Sequence, residues 1–136
     1  MQEFIKKFKS YPASVKNAVI YEVIAWIWWF IYCYAIFTKG QVPVKHVFSG
    51  IAICYFIISL KPWGRILAMT CNLLFIMVLL QVGITLLMQG SINPTFVFIT
   101  TDIVLLAIST YYLFKKETAD FFKAMNPKPE PPKEEK

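Results

Sequence analysis

Four long apolar runs, at 18–37, 43–60, 65–89 and 94–114, alternate with short polar breaks along the chain. Twenty helical residues at about 1.5 Å each reach across about 30 Å of hydrocarbon, so the first run is long enough to cross a bilayer. The breaks carry turn chemistry. Thr38-Lys39-Gly40-Gln41-Val42 ends at Pro43, whose fixed φ and missing N–H suit the first turn of a helix. Lys61-Pro62-Trp63-Gly64 is expected to stop the second helix and turn the chain at once, making the second and third runs antiparallel neighbours. In Gly90-Ser91-Ile92-Asn93-Pro94, Asn93 is expected to cap the fourth helix with Pro94 in its first turn.

The flanks read differently. Residues 1–12 place Phe4, Ile5, Phe8 and Tyr11 at helical spacing against Lys6, Lys7 and Lys9, which predicts a short amphipathic helix in the headgroup layer. Residues 117–125 carry Phe121, Phe122 and Met125 on one edge and predict a second interfacial helix resting on the membrane. The Pro- and charge-rich tail 126–136 has nothing to bury and is expected to be disordered. The predicted fold is all-α: a four-helix transmembrane bundle over 13–116 with short interfacial helices at both ends.

Composition sharpens this picture. The chain is 57% hydrophobic and 16% charged, where a soluble domain carries about 25% charged residues. Between Ala18 and Phe114 the charged residues are Glu22, Lys39, Lys45, Lys61, Arg65 and Asp102. The net charge of +6 comes from lysines that flank apolar runs, so it points to orientation in an anionic bilayer and not to nucleic acid. Lys6, Lys7, Lys9 and Lys16, the Lys61 to Arg65 turn, and Lys115, Lys116 and Lys123 all fall on one side, against Lys39 and Lys45 on the other. The positive-inside rule then puts both termini and the central turn in the cytoplasm. The first run follows a basic head as a signal peptide would, but its length and the lack of a small-x-small site before Lys39 predict a retained span.

The chemistry inside the runs is sparse. Cys33, Cys54 and Cys71 have no paired spacing and are expected to be small packing residues, and His46 stands alone. No nucleophile elbow, phosphate loop or zinc signature occurs, so no catalytic residue, metal or cofactor is predicted. Trp26, Trp28 and Trp29 with Tyr21, Tyr32 and Tyr34 surround the first span, as aromatics do when they meet lipid and neighbouring helices; lining a cation pocket is the other reading.

An acid within a span needs a reason, since a carboxylate at the bilayer centre costs about 2.5–3.5 kcal/mol on insertion scales. Counting helical rise puts Asp102 about 20 Å above the cytoplasmic boundary, level with Ser49 and Gln81, and Gln81 is the expected hydrogen-bond partner. A second layer nearer the cytoplasm gathers Glu22, Thr70, Asn72 and Ser109, with Glu22 about 14 Å below Asp102. Polar side chains of this kind hold helices together or carry ions and protons. For Glu22, an interfacial ion pair with Lys16 is the simpler expectation.

Three stretches resemble a family of small, uncharacterised bacterial four-span membrane proteins. Tyr11-Pro12-Ala13-Ser14-Val15 followed by Ala18 resembles its (R/Y)-P-x-S-V-x-x-A opening. Pro62-Trp63-Gly64-Arg65 is similar to its x-W-(A/G)-R hinge. Tyr112-Leu113-Phe114-Lys115-Lys116-Glu117 is similar to its Y-L-(L/F)-F-x-x-E ending, with Lys116 where Pro often stands. The resemblance implies the four-span fold in a bacterial inner membrane and brings no active site. In the hinge, Pro62 is expected to end a helix, Gly64 to turn, Trp63 to anchor in headgroups, and Arg65 to meet phosphates or the last carbonyls of the second span. The expected function is that of a non-enzymatic membrane protein that assembles with itself or with a membrane protein partner. The alternative is a small proton-coupled transporter using Asp102.

Overall fold

The computed structural model describes residues 8–37, 44–90 and 93–125, all helical or in turns between helices. The first seven residues, the linker with Lys39 and Pro43, Ser91 and Ile92, the tail 126–136 and the side chain of His46 lie outside the described residues. Five helices follow in order: α1 (Ala13–Tyr32), α2 (Val44–Ile58), α3 (Pro62–Met88), α4 (Pro94–Phe114) and α5 (Lys116–Ala124). α1 continues as a wider π-helical turn over Cys33–Phe37.

Among the described residues, three stretches are long and apolar enough to cross a membrane: Ala13–Ala35, Pro62–Met88 and Pro94–Phe114. α2, with 15 residues, is about 22 Å long and falls short of a full hydrocarbon thickness by itself.

Local chemistry explains the helix ends. Asn93 Oδ1 accepts from Phe96 N at 3.2 Å and caps α4, with Pro94 in the first turn. α3 ends at Gly90, whose φ of 65° is the left-handed conformation that glycine adopts without cost. The hinge differs from its expectation. The chain turns at Ser59 and Leu60, Leu60 taking a φ of 55°, and Pro62 to Arg65 already form the first turn of α3. Pro62 thus starts a helix, as its missing N–H favours. Gly64 serves close approach: a Cβ there would lie 2.6 Å from the Phe56 carbonyl oxygen of α2. Trp63 is half exposed, its ring 5.0 Å from that of Phe56.

The helices pack around a mainly apolar core that holds a few polar side chains, and their outward faces are apolar too. α1 buries Val15, Ala18, Val19, Glu22 and Ala25; α3 buries Gly64, Ala68, Asn72, Leu79 and Gly83; α4 buries Ile99, Asp102, Leu106, Ser109 and Leu113. Each set recurs at helical spacing, three, four or seven residues apart except for the adjacent pair Ala18 and Val19, so it forms one stripe on its helix. Alanine, glycine and serine in these stripes let backbones approach closely, the usual device of helix pairs in hydrocarbon. Outward faces carry Ile27, Phe48, Leu74, Met77 and Tyr111, all more than half exposed. Such a surface suits lipid better than water.

α5 closes one end. Thr118 Oγ1 donates to the Tyr112 carbonyl at 2.8 Å, and Phe122 is buried beside Tyr11, Val15 and Leu113. Phe122 therefore belongs to the bundle's end cluster instead of resting on the membrane, because the break at Lys115 turns α5 back under α4.

Candidate functional site: two buried acids in the helix core

Glu22 lies in the buried stripe of α1, 1% exposed, where α1, α3 and α4 meet. Asn72 Nδ2 of α3 and Ser109 Oγ of α4 each lie 2.7 Å from Glu22 Oε2, and Trp26 Nε1, one turn along α1, donates to Oε1 at 3.1 Å. Asn72 Nδ2 also donates to Thr110 Oγ1 at 3.3 Å. The structure thus brings Glu22, Asn72 and Ser109, the layer expected nearer the cytoplasm, into one hydrogen-bonded cluster. Thr70 stands outside it, exposed and bonded to the Ile66 carbonyl of its own helix. The expected pairing of Glu22 with Lys16 is not made. Lys16 Nζ donates to the Lys9 carbonyl at 3.2 Å, and Glu22 points inward because its stripe is the one shared with α3 and α4.

The Ser109 hydroxyl has one hydrogen and two acceptors in reach, Glu22 Oε2 and the Ala18 carbonyl at 3.1 Å. When Glu22 is ionised, Ser109 donates to it. When Glu22 holds a proton, it donates to Ser109 Oγ, and Ser109 turns its hydrogen to Ala18. Both states use the same heavy-atom positions, so a proton can come and go without a change of packing.

Asp102 shares a face of α4 with Ser109, seven residues or about 10 Å away. It too is 1% exposed, but among the described residues neither carboxyl oxygen has a hydrogen-bond partner. Ile99 and Leu106, three residues before it and four after it on the same buried face of α4, belong to an apolar cluster with Ala25 and Leu79. Cys33 of the π-helical turn and Glu22 are near enough to interact with it electrostatically.

The other predicted members of the upper layer are not there. Gln81 is exposed on α3, and Ser49 is exposed on α2, its Oγ donating to the Lys45 carbonyl of the same helix at 3.0 Å. The physical reason is rotation. Asn72 and Gln81 are nine residues apart, which at about 100° per residue puts them about 180° apart on α3. When Asn72 faces the core, Gln81 faces out.

At the hinge, Arg65 Nη1 donates to the Leu113 carbonyl at 2.8 Å, so it caps α4 and not the second span. Sequence reasoning missed Trp26 and Thr110 as members of the Glu22 cluster. Trp26 follows Glu22 by one helical turn, a spacing that signals a shared face. The aromatics of α1 pair across helices: Trp26 stacks on Phe75 at 5.6 Å and Trp28 on Phe98 at 4.7 Å. Trp26 also walls an apolar groove of about 440 Å³ between α1 and α2, where a Cβ at Gly50 would meet its ring at 2.7 Å. Among the described residues no three His, Cys, Asp or Glu side chains come together as metal ligands. Compared with known protein families, with curated proteins and with solved structures, the chain matches none of them.

Proposed function

We propose that this chain is a four-span integral membrane protein of a bacterial inner membrane, with both ends in the cytoplasm, that carries protons through Asp102 and catalyses no reaction. The membrane part rests on three helices of spanning length and on an exterior of large apolar side chains. α2 is the fourth span, its shortness met by local thinning of the bilayer.

The observation that supports proton carriage is the partnerless Asp102. A polar residue that only holds helices together returns its burial cost through bonds worth about 0.6 kcal/mol each. Asp102 makes none among the described residues, so packing gives no account of an acid that costs about 2.5–3.5 kcal/mol at this depth. A buried acid that binds and releases a proton in step with helix movement does give one. The Glu22 cluster stands between Asp102 and the lysine-rich end and accepts either proton state by turning one hydroxyl.

Reconstitution into liposomes loaded with a pH-sensitive dye tests this reading. With an imposed pH gradient, wild-type protein should collapse the gradient faster than empty liposomes. Asp102→Asn should abolish the flux while circular dichroism and gel-filtration profile stay unchanged. Equal flux in wild type and Asp102→Asn would sink the proposal.

A further inference from the structure

The face of α3 opposite Asn72 carries Leu74, Met77, Gln81, Ile84 and Met88, spaced by three or four residues, so they form one stripe along the helix. Leu74, Met77, Ile84 and Met88 are 64, 67, 56 and 84% exposed. Gln81 is exposed among them, and its side-chain amide makes no hydrogen bond among the described residues. Beside it a hollow of about 330 Å³ opens between Val78, Gln81, Val82 and Thr85. Thr85 Oγ1 donates back to the Gln81 carbonyl, so that hydroxyl is occupied within the helix.

An apolar stripe needs no partner in hydrocarbon, but an amide does. Each unsatisfied polar group in lipid is costly, and Gln side chains there find partners on neighbouring helices. From Ile66 to Met88 no side chain is charged, so a second identical face meets no repulsion. An amide also holds one acceptor and two donors, and is therefore complementary to itself. We infer that this face of α3 is the contact of a symmetric dimer, in which Gln81 of one copy hydrogen-bonds Gln81 of the other. Chains inserted with one orientation relate by a two-fold axis along the membrane normal, which brings the same residue of both copies together at the helix crossing. Met77 and Met88 supply adaptable packing on either side of the amide pair. The inference goes beyond proton carriage and rests only on the reading that α3 lies in a bilayer.

The test uses the full chain, labelled with donor and acceptor dyes, in liposomes over a range of protein-to-lipid ratios. Energy transfer should rise with protein density as a monomer–dimer equilibrium. Gln81→Leu, which keeps the surface apolar, should weaken association about tenfold, the effect of two lost amide bonds. Gln81→Asn should restore most of it. In a background with Cys33, Cys54 and Cys71 replaced by alanine, Met77→Cys should form disulfide-linked dimers in the membrane. Val104→Cys, exposed on α4, should not. Membrane-integrated protein that stays monomeric at every density, association unchanged by Gln81→Leu, or dimers linked through Val104→Cys would each overturn the inference. Carbonate extraction run beside it separates the two readings: protein washed from the membrane would overturn the bilayer reading and the dimer with it.

Discussion

Replacing Glu22 tests whether its cluster fastens the three long helices. Glu22→Leu removes the acceptor for Trp26 Nε1 and for one hydrogen of Asn72 Nδ2. Ser109 keeps the Ala18 carbonyl at 3.1 Å, and Asn72 keeps Thr110 at 3.3 Å. Two orphaned buried donors cost about 2–6 kcal/mol where the unfolded chain is in water. In a membrane the unfolded chain finds other partners, and side-chain bonds there average about 0.6 and reach about 1.7 kcal/mol. A loss of about 1–3 kcal/mol follows. Glu22→Gln is expected to lose less than about 1 kcal/mol, because Asn72 Oδ1 has no partner among the described residues and a flip of the Asn72 amide offers that oxygen to the new NH₂. Reversible unfolding in detergent–SDS mixtures, followed by circular dichroism, reads the order wild type, Gln, Leu. Glu22→Leu as stable as wild type would refute the reasoning, since removing one partner of a buried hydrogen bond leaves the other unsatisfied at a cost.

Three further outcomes are expected. Gly64→Ala should destabilise the α2–α3 hairpin by about 1–3 kcal/mol, since the added Cβ meets the Phe56 carbonyl oxygen at 2.6 Å, whereas Gly83→Ala, with its nearest neighbour at 3.9 Å, should be tolerated; thermal melts in detergent compare the two. Arg65→Glu should cost about 1–3 kcal/mol by removing the donor to the Leu113 carbonyl and placing an anion at the C-terminal end of α4, and Arg65→Lys should recover part of it in the same melts. Reporter fusions at the C-terminus and after Lys61 should report the cytoplasm, and one in the linker 38–43 the opposite side; a periplasmic C-terminal reporter refutes the orientation.

The long helices were legible because their apolar runs, proline starts and Asn93 cap are local signals. The run at 94–114 is α4 as observed, with Asn93 and Pro94 in the expected places. The hinge was misread by one turn. Pro62 carries the same chemistry whether a helix ends before it or begins at it, and only the left-handed Leu60 and the carbonyl of Phe56 against Gly64 decide between the two. That contact joins two helices, so no window of sequence holds it. The docking of α5 was hidden for the same reason. An edge of Phe121, Phe122 and Met125 serves a membrane surface or a bundle end equally, and Tyr11 at the far end of the chain supplies the deciding contact, its ring 5.1 Å from that of Phe121.

In the core, depth is legible from helical rise alone, whereas which way a side chain faces depends on rotation as well. Counting rise along each helix groups Glu22, Asn72 and Ser109 at one level, and their stripes bring them within hydrogen-bonding distance. The same counting places Gln81 beside Asp102, but two residues at one depth meet only when both helices turn them inward. The burial pattern of α3 supplies the rotation. Gly64, Ala68, Met69, Asn72, Leu79 and Gly83 form one stripe that excludes position 81. Applied together, rise and rotation leave Asp102 facing apolar side chains and send Gln81 outward. The two polar groups then stand as separate questions, one about protons and one about a neighbouring chain, because no bond between them answers both.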